Sequence, residues 1–294
     1  MVNKEKPISE LLEFSVLNID KPSGPTSFSV SDFIRKKIKE AGVDLRKTCH
    51  FGTLDPKVTG VLPIGLGRAC KLTGFVLGHD KTYVGLMHIN KEMSIEELQK
   101  IIDKNFIGKI IQLPPKKSRV KRQEREREIK QFKILEKGDG ERDKEFLFEA
   151  EVQGGTYIRK LIHDLGEIEE IGGAHMTELR RIKAGIFEEK NKEFVNLYDF
   201  EKAVNEFKDG KEKKLREMLI PAESVIKRIM PYVKIKEDSL KMLLNGKPLM
   251  KKDLDEEVPN SEIFAVFCEE RFVEIARKIE DKGDIIAKPE FVKD

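Results

Sequence analysis

Two stretches of this chain alternate apolar and polar residues with a period of two, the spacing of a half-buried β-strand, and one of them runs directly into a glycine turn and a helix. Phe146, Phe148, Ala150 and Val152 fall on one face, Gly154-Gly155 follows, and Thr156 opens a helix that Gly166 closes. In 82–89, Tyr83, Gly85, Met87 and Ile89 share a face in the same way. A strand buries one face and an amphipathic helix one stripe, so the chain has to layer helices on a sheet. Upstream, Val16-Leu17-Asn18-Ile19 reads as a short strand ended by the turn-forming Lys21-Pro22-Ser23-Gly24-Pro25. Ser29 is placed to cap a helix carrying Val30, Phe33, Ile34 and Ile38 on one stripe, with Gly42 past its end, and Ser94 opens another through Ile102. The stretch 178–187 looks extended, 197–207 helical, and 211–230 a charged helical connection ending at Pro231. Short strands follow in 233–235, 263–267, 272–276 and 285–287. Strands and helices without a regular βαβ alternation predict α+β rather than a doubly wound sheet, with a boundary near Ile229 and a small β module after it.

The 294 residues are enough for about two domains. Charged residues make up 37% of the chain and the net charge is only +3. That balance hides segregation: 109–130 holds nine basic residues against three glutamates, and 234–253 six lysines against Glu237, Asp238 and Asp253. Clustered positive charge suits a polyanion, although solvated faces of a Lys/Glu-rich protein would read alike. No run approaches the roughly 20 apolar residues that cross a bilayer, and the start has no apolar signal core, so a cytoplasmic protein with no membrane partner is expected. Cys49, Cys70 and Cys268 are too scattered for a disulfide framework or a zinc pair, and the five histidines show no metal spacing, so no metal is expected.

The segment most able to carry chemistry is His50-Phe51-Gly52-Thr53-Leu54-Asp55-Pro56. A residue before proline is kept out of helical dihedrals, so Asp55 is presented from a stiff backbone; an ordinary turn is the commoner use of such a sequence. Arg159 lies early in the helix after Gly154-Gly155 and offers a planar fork that can hold a carboxylate ionised and oriented. Tyr83, turned inward on its strand, supplies a flat face and a hydroxyl. In Glu178-Leu179-Arg180-Arg181, Leu179 would face inward while the arginines meet phosphate, or simply solvent at a sheet edge. Gly65-Leu66-Gly67 lacks the third glycine of a dinucleotide fingerprint, Gly24-Pro25-Thr26-Ser27 lacks the spacing and lysine of a phosphate loop, and no Gly-x-Ser-x-Gly elbow occurs.

Taken together, Lys21-Pro22-Ser23-Gly24-Pro25-Thr26-Ser27, the His50 to Gly60 segment, Lys81-Thr82-Tyr83, Gly155-Thr156-Tyr157-Ile158-Arg159-Lys160-Leu161 and His175-Met176-Thr177-Glu178-Leu179-Arg180-Arg181 resemble, in order and spacing, the TruB/dyskerin family of pseudouridine synthases. Pro56-Lys57-Val58-Thr59-Gly60 and Gly173-Ala174-His175-Met176 resemble dyskerin and its archaeal counterparts more than bacterial members. The segments 243–250 and 283–287 resemble a PUA domain, which in this family binds RNA.

The resemblance implies a pseudouridine synthase fold, a mixed and largely antiparallel sheet with flanking helices and a central cleft, over 15–228. A β-barrel-like PUA domain would span 229–294, with 1–14 packing on it. It implies isomerisation of uridine to pseudouridine in tRNA and, with an H/ACA guide RNA, in rRNA, needing no cofactor. Three small partners are implied: a zinc-ribbon-type subunit, a Gar-type subunit and a kink-turn-binding ribosomal-type protein. Asp55 would be the nucleophile, Arg159 its partner, Tyr83 a stacking and proton-transfer group, and Leu179 part of the apolar wall, while Lys21 and His50 belong to motifs bracing the site. Lys116, Lys117, Arg119, Lys121 and Arg122 match an RNA-gripping loop, and Arg180 and Arg181 are further RNA contacts. A stand-alone tRNA synthase, or a non-catalytic RNA-binding or chaperone protein on the same fold, are the alternatives. Phe51 and Phe28 depart from the family pattern, and the expectation is that the two rings pack together.

Overall fold

Pairing between distant segments decides what the alternating strands become. The computed structural model describes residues 6–114, 121–254 and 256–293, without the side chains of 280–282. Along the chain the strands are β1 (Ser15–Lys21), β2 (Thr48–His50), β3 (Thr59–Leu66), β4 (Lys81–Ile89), β5 (Gly108–Gln112), β6 (Arg125–Lys137), β7 (Glu145–Val152), β8 (Ala174–Ala184), β9 (Phe187–Glu188), β10 (Phe194–Asn196) and β11 (Ile220–Pro221). Among the described residues these eleven form one sheet, whose main path runs β10-β1-β3-β8-β4-β7-β6-β5. Pairings are antiparallel except β1 with β10 and β3 with β8. The expected alternation holds: every odd-numbered residue of β4 is buried, from Lys81 to Ile89, and β7 buries Phe146, Phe148, Ala150 and Val152.

The helices are α1 (Ile8–Glu13), α2 (Ser27–Glu40), α3 (Thr73–Val76), α4 (Ile95–Asn105), α5 (Ile158–Gly166), α6 (Leu197–Lys208), α7 (Lys213–Met218) and α8 (Ala222–Ile229). Val30, Ile34 and Ile38 of α2, Leu98 and Ile102 of α4, and Leu161, Ile162 and Leu165 of α5 enter one core with Leu62, Met87, Phe132 and Phe148 from the sheet. Each such side chain contributes about 1.5–3 kcal/mol on burial. Ser94 opens α4 with a reciprocal capping box to Glu97. The cap of α2 is Thr26, not Ser29: Thr26 Oγ1 accepts from the Ser29 N–H, so the helix starts three residues earlier than its apolar stripe indicates.

The stretch 211–230 is not a charged connection. Pro221 breaks it, β11 pairs with Ser15 and Val16, and Leu215, Ala222, Val225 and Ile226 are buried. After α8 come β12 (Tyr232–Lys234), α9 (Leu240–Leu244), β13 (Leu249–Met250), β14 (Ile263–Cys268), β15 (Arg271–Lys282) and β16 (Ile285–Val292), a separate sheet ordered β12-β14-β15-β16-β13. This sheet shares a core with the larger one, since Phe267, Phe272 and Ile275 pack with Phe14, Phe51, Val61 and Phe187. Phe14 stacks on Phe272 with ring centres 5.7 Å apart. Beside them Glu223, nearly buried, accepts from Lys6 Nζ at 2.8 Å and Lys293 Nζ at 2.7 Å, tying both ends of the described chain to α8. Burial pushes the Glu223 carboxyl upward, but the two ammonium groups outweigh it and leave its pKa lowered. No helix of the described residues is long and apolar enough to cross a membrane.

Candidate active site

Asp55 lies in the loop between β2 and β3, and that loop is laced to the turn after β1. Lys21, fully buried, donates from Nζ to the carbonyls of Pro22 at 2.8 Å, Pro56 at 2.9 Å and Val58 at 2.8 Å. Three acceptors match the three donors of an ammonium group, so the buried charge is fully solvated by backbone. Burial lowers the Lys21 pKa, with the Asp55 charge opposing. The Gly24 N–H adds a bond to Pro56 O at 2.9 Å. Ser27 Oγ accepts from the Leu54 N–H at 2.8 Å and bonds Leu54 O at 2.9 Å.

The floor of the loop is built from β8. Parallel pairing sets Thr59 and Gly60 opposite Arg180 and Arg181. Gly60 has φ +98°, and a Cβ there would run into the Arg181 backbone, so the close approach needs glycine. Arg181 is 1% exposed; its Nε donates to Val61 O at 2.8 Å and its Nη2 to Gly52 O at 3.0 Å. The expectation that Arg181 contacts RNA phosphate is therefore corrected, because β8 is an interior strand between β3 and β4 rather than an edge. Arg180 remains partly exposed, but its guanidinium is engaged by Asp20 at 3.0 and 3.2 Å and by Glu189 at 2.9 Å.

Arg159, in the first turn of α5, reaches across to pair through Nη2 with Asp55 Oδ2. The side chains are 61% and 52% exposed, so the pair adds at most about 1 kcal/mol to stability and its consequence is orientation. Tyr83 and Leu179 are buried in the same core as Leu54, Val58, Ile158 and Leu161, the sequence neighbours of Asp55 and Arg159. Asp55 is thus a solvent-accessible carboxylate paired with a guanidinium, on a loop whose Leu54 and Val58 enter the apolar core. Among the described residues no group of three or more His, Cys, Asp or Glu side chains could hold a metal ion.

His50 ends β2, half-buried, and its Nδ1 has no hydrogen-bond partner among the described residues; burial and then the Arg181 charge lower its pKa. Lys121 and Arg122 are exposed at the start of the segment entering β6, whereas Lys116, Lys117 and Arg119 lie outside the described residues. Phe51 and Phe28 do not pack together: Phe51 is fully buried against Gly65, while Phe28 is 73% exposed on the first turn of α2. Sequence reasoning missed three supporting residues. Lys81 donates to Leu77 O at 2.6 Å and to His79 O, and burial, then the Arg181 charge, lowers its pKa to about 8. Its signal was present, a lysine on the inward phase of an alternating strand. Ser27 and Gln112 carried no such signal, since each works through backbone groups distant in sequence.

The chain superposes on a crystal structure of a Cbf5-Nop10-Gar1 complex with a TM-score of 0.86 and 32% identity, over 99% of this chain and 88% of that one. The architecture is thus the α+β pseudouridine synthase fold, with a separate β-sheet at the C-terminal end. Residues 37–158 match the model of the TruB family pseudouridylate synthase N-terminal domain, and 159–227 that of the tRNA pseudouridylate synthase B C-terminal domain. Probable tRNA pseudouridine synthase B from Nanoarchaeum equitans is 46% identical over 76% of this chain, and that from Korarchaeum cryptofilum 39% identical over 85%. The chain belongs to the TruB family. It spans 61% of the length of the Nanoarchaeum relative and 74% of the Korarchaeum one.

Proposed function

We propose that this protein isomerises uridine to pseudouridine in RNA, the T-loop uridine of tRNA by itself and rRNA uridines under an H/ACA guide RNA. The observation that carries this reading is the Asp55–Arg159 pair, on a loop that Lys21, Ser27 and Arg181 immobilise. In the reaction the bond from the base nitrogen to the ribose breaks, the base turns, and a base carbon joins the same sugar carbon. Asp55 is the nucleophile, and Arg159 aims it. Tyr83 stacks on the base and assists proton removal, and Leu179 completes the wall against which the base turns. A uridine inside folded RNA is unreachable, so it must be everted at a cost of a few kcal/mol, which cationic contacts offset.

On this reading 15–228 is the catalytic domain and 229–294 a PUA-like RNA-binding domain with 1–14 against it, the whole acting in the cytoplasm. The likeness to a Cbf5 chain solved with Nop10 and Gar1 supports assembly with a zinc-ribbon-type and a Gar-type subunit, and the dyskerin-like motifs add a kink-turn-binding ribosomal-type protein. Mass-spectrometric mapping of pseudouridine tests it on unmodified tRNA with the protein alone, and on rRNA with guide RNA and the small subunits. Conversion of tRNA alone and of rRNA only with guide is expected. Conversion of tRNA but never of guided rRNA indicates a stand-alone enzyme, and no pseudouridine in either overturns the reading.

A further inference from the structure

The helix that carries Arg159 begins without a side-chain cap of its own, Tyr157 standing at the N-cap position. What fixes that end comes from β5. Gln112, the last residue of β5 and 2% exposed, accepts from the Tyr157 N–H through Oε1 at 3.0 Å and donates through Nε2 to the Tyr157 carbonyl at 3.3 Å. Its amide thus pairs with one residue's backbone in both directions, two positions before Arg159. The same carbonyl receives the first bond of α5, from the Leu161 N–H at 3.0 Å. The neighbouring strand grips the preceding turn: the Gln153 N–H donates to Glu128 O at 2.8 Å, and the Glu128 N–H to Gln153 Oε1 at 3.3 Å. Arg127 lies over Gly155, where a Cβ would come within 3.1 Å of its Nη2.

β5 and β6 pair as the arms of a hairpin, and Lys121 and Arg122 are exposed at the start of the segment entering β6, so a cationic element is bonded to the start of the helix that carries Arg159. We propose that Gln112 is a positioning residue that transmits RNA engagement of this hairpin to Arg159, and through it to the orientation of Asp55. The inference rests on the function proposed above. A buried amide bonded at both ends has one low-energy placement, so a hairpin drawn onto RNA carries Tyr157 and the first turn of α5 with it.

The test uses the full chain with an unmodified tRNA, comparing wild type, Gln112→Leu, which removes both bonds in a similar volume, and Gln112→Glu, which keeps an acceptor for the Tyr157 N–H. Hydrogen exchange at the amides of 157–161 is expected to slow on adding RNA in wild type, to slow less in Gln112→Glu, and to be insensitive to RNA in Gln112→Leu. The saturating single-turnover rate is expected to fall about 10- to 100-fold in Gln112→Leu while RNA affinity stays within about threefold, the split that misplacement of a reacting group produces. Equal RNA-dependent slowing in wild type and Gln112→Leu overturns the inference, as does a wild-type rate in Gln112→Leu. If exchange behaves as expected but no variant, wild type included, forms pseudouridine, the coupling stands and the proposed function falls.

Discussion

Ser27 holds Leu54 by both of its backbone groups, and Leu54 is the residue before Asp55. One hydroxyl on α2 therefore sets the entry to the Asp55 loop, while the Lys21 ammonium sets its exit at Pro56 and Val58. Asp55 is presented between two clamps, each of which hydrogen-bonds the loop backbone rather than the carboxylate.

Removing the first clamp tests its role. Ser27→Ala leaves a buried N–H and carbonyl without their partner, which costs about 1–3 kcal/mol of stability. Thermal unfolding is expected to show that loss, and a single-turnover assay at saturating RNA a drop of about tenfold with little change in RNA affinity. Unaltered stability and rate would show that Leu54 is held adequately by the loop itself.

Glu274 on β15 is fully buried, and neither carboxylate oxygen has a hydrogen-bond partner among the described residues. Burial raises its pKa from 4.5 to about 8. The folded protein thus retains a proton that the unfolded chain releases, so this group's stability is present below pH 4.5 and lost as pH rises through about 8. Denaturant unfolding of wild type and Glu274→Gln across this range is expected to show the variant gaining relative stability, reaching several kcal/mol above about pH 8. A pH-independent difference would contradict the assignment.

Much of the fold was open to reading from the sequence because it depends on local periodicity. β4 and β7 announced themselves by alternation, and α4 by Ser94 at its start. Arg181 was misread because an arginine pair on an extended segment looks solvated until the parallel pairing with β3 makes that strand interior. The 211–230 stretch was misread for the same reason, its Pro221 strand being defined by pairing with Ser15 and Val16 across the chain. Asp55 and Arg159 were paired on chemical grounds, and the structure brings them together. Ser27 and Gln112 act through backbone atoms of other segments, which no residue spacing displays.

The two sheets are coupled through Phe14, which stacks on Phe272 while Lys293 Nζ lies 4.6 Å from its ring centre. Phe14→Ala is expected to cost about 3–5 kcal/mol. Limited proteolysis should find the C-terminal sheet more readily cleaved in the variant than in wild type. Wild-type resistance would mean that the rest of the shared core and the Glu223 ion pairs hold the modules together without Phe14.

Lys121 and Arg122 are exposed beside the cationic connection between β5 and β6. Replacing both with Gln is expected to weaken binding to RNAs of unrelated sequence alike and to reduce the slope of log affinity against log salt by about two. Fluorescence titration across a salt series measures it. An unchanged slope would place the RNA backbone elsewhere.

Asp55 is the group proposed to attack the everted nucleotide. Its most direct test is a single-turnover measurement of pseudouridine formation by Asp55→Asn at saturating RNA, beside a binding titration of the same variant. No detectable product, with affinity within about threefold of wild type, is the predicted result, since the pair is exposed and stabilises the fold by about 1 kcal/mol at most. Product formed at the wild-type rate would contradict it.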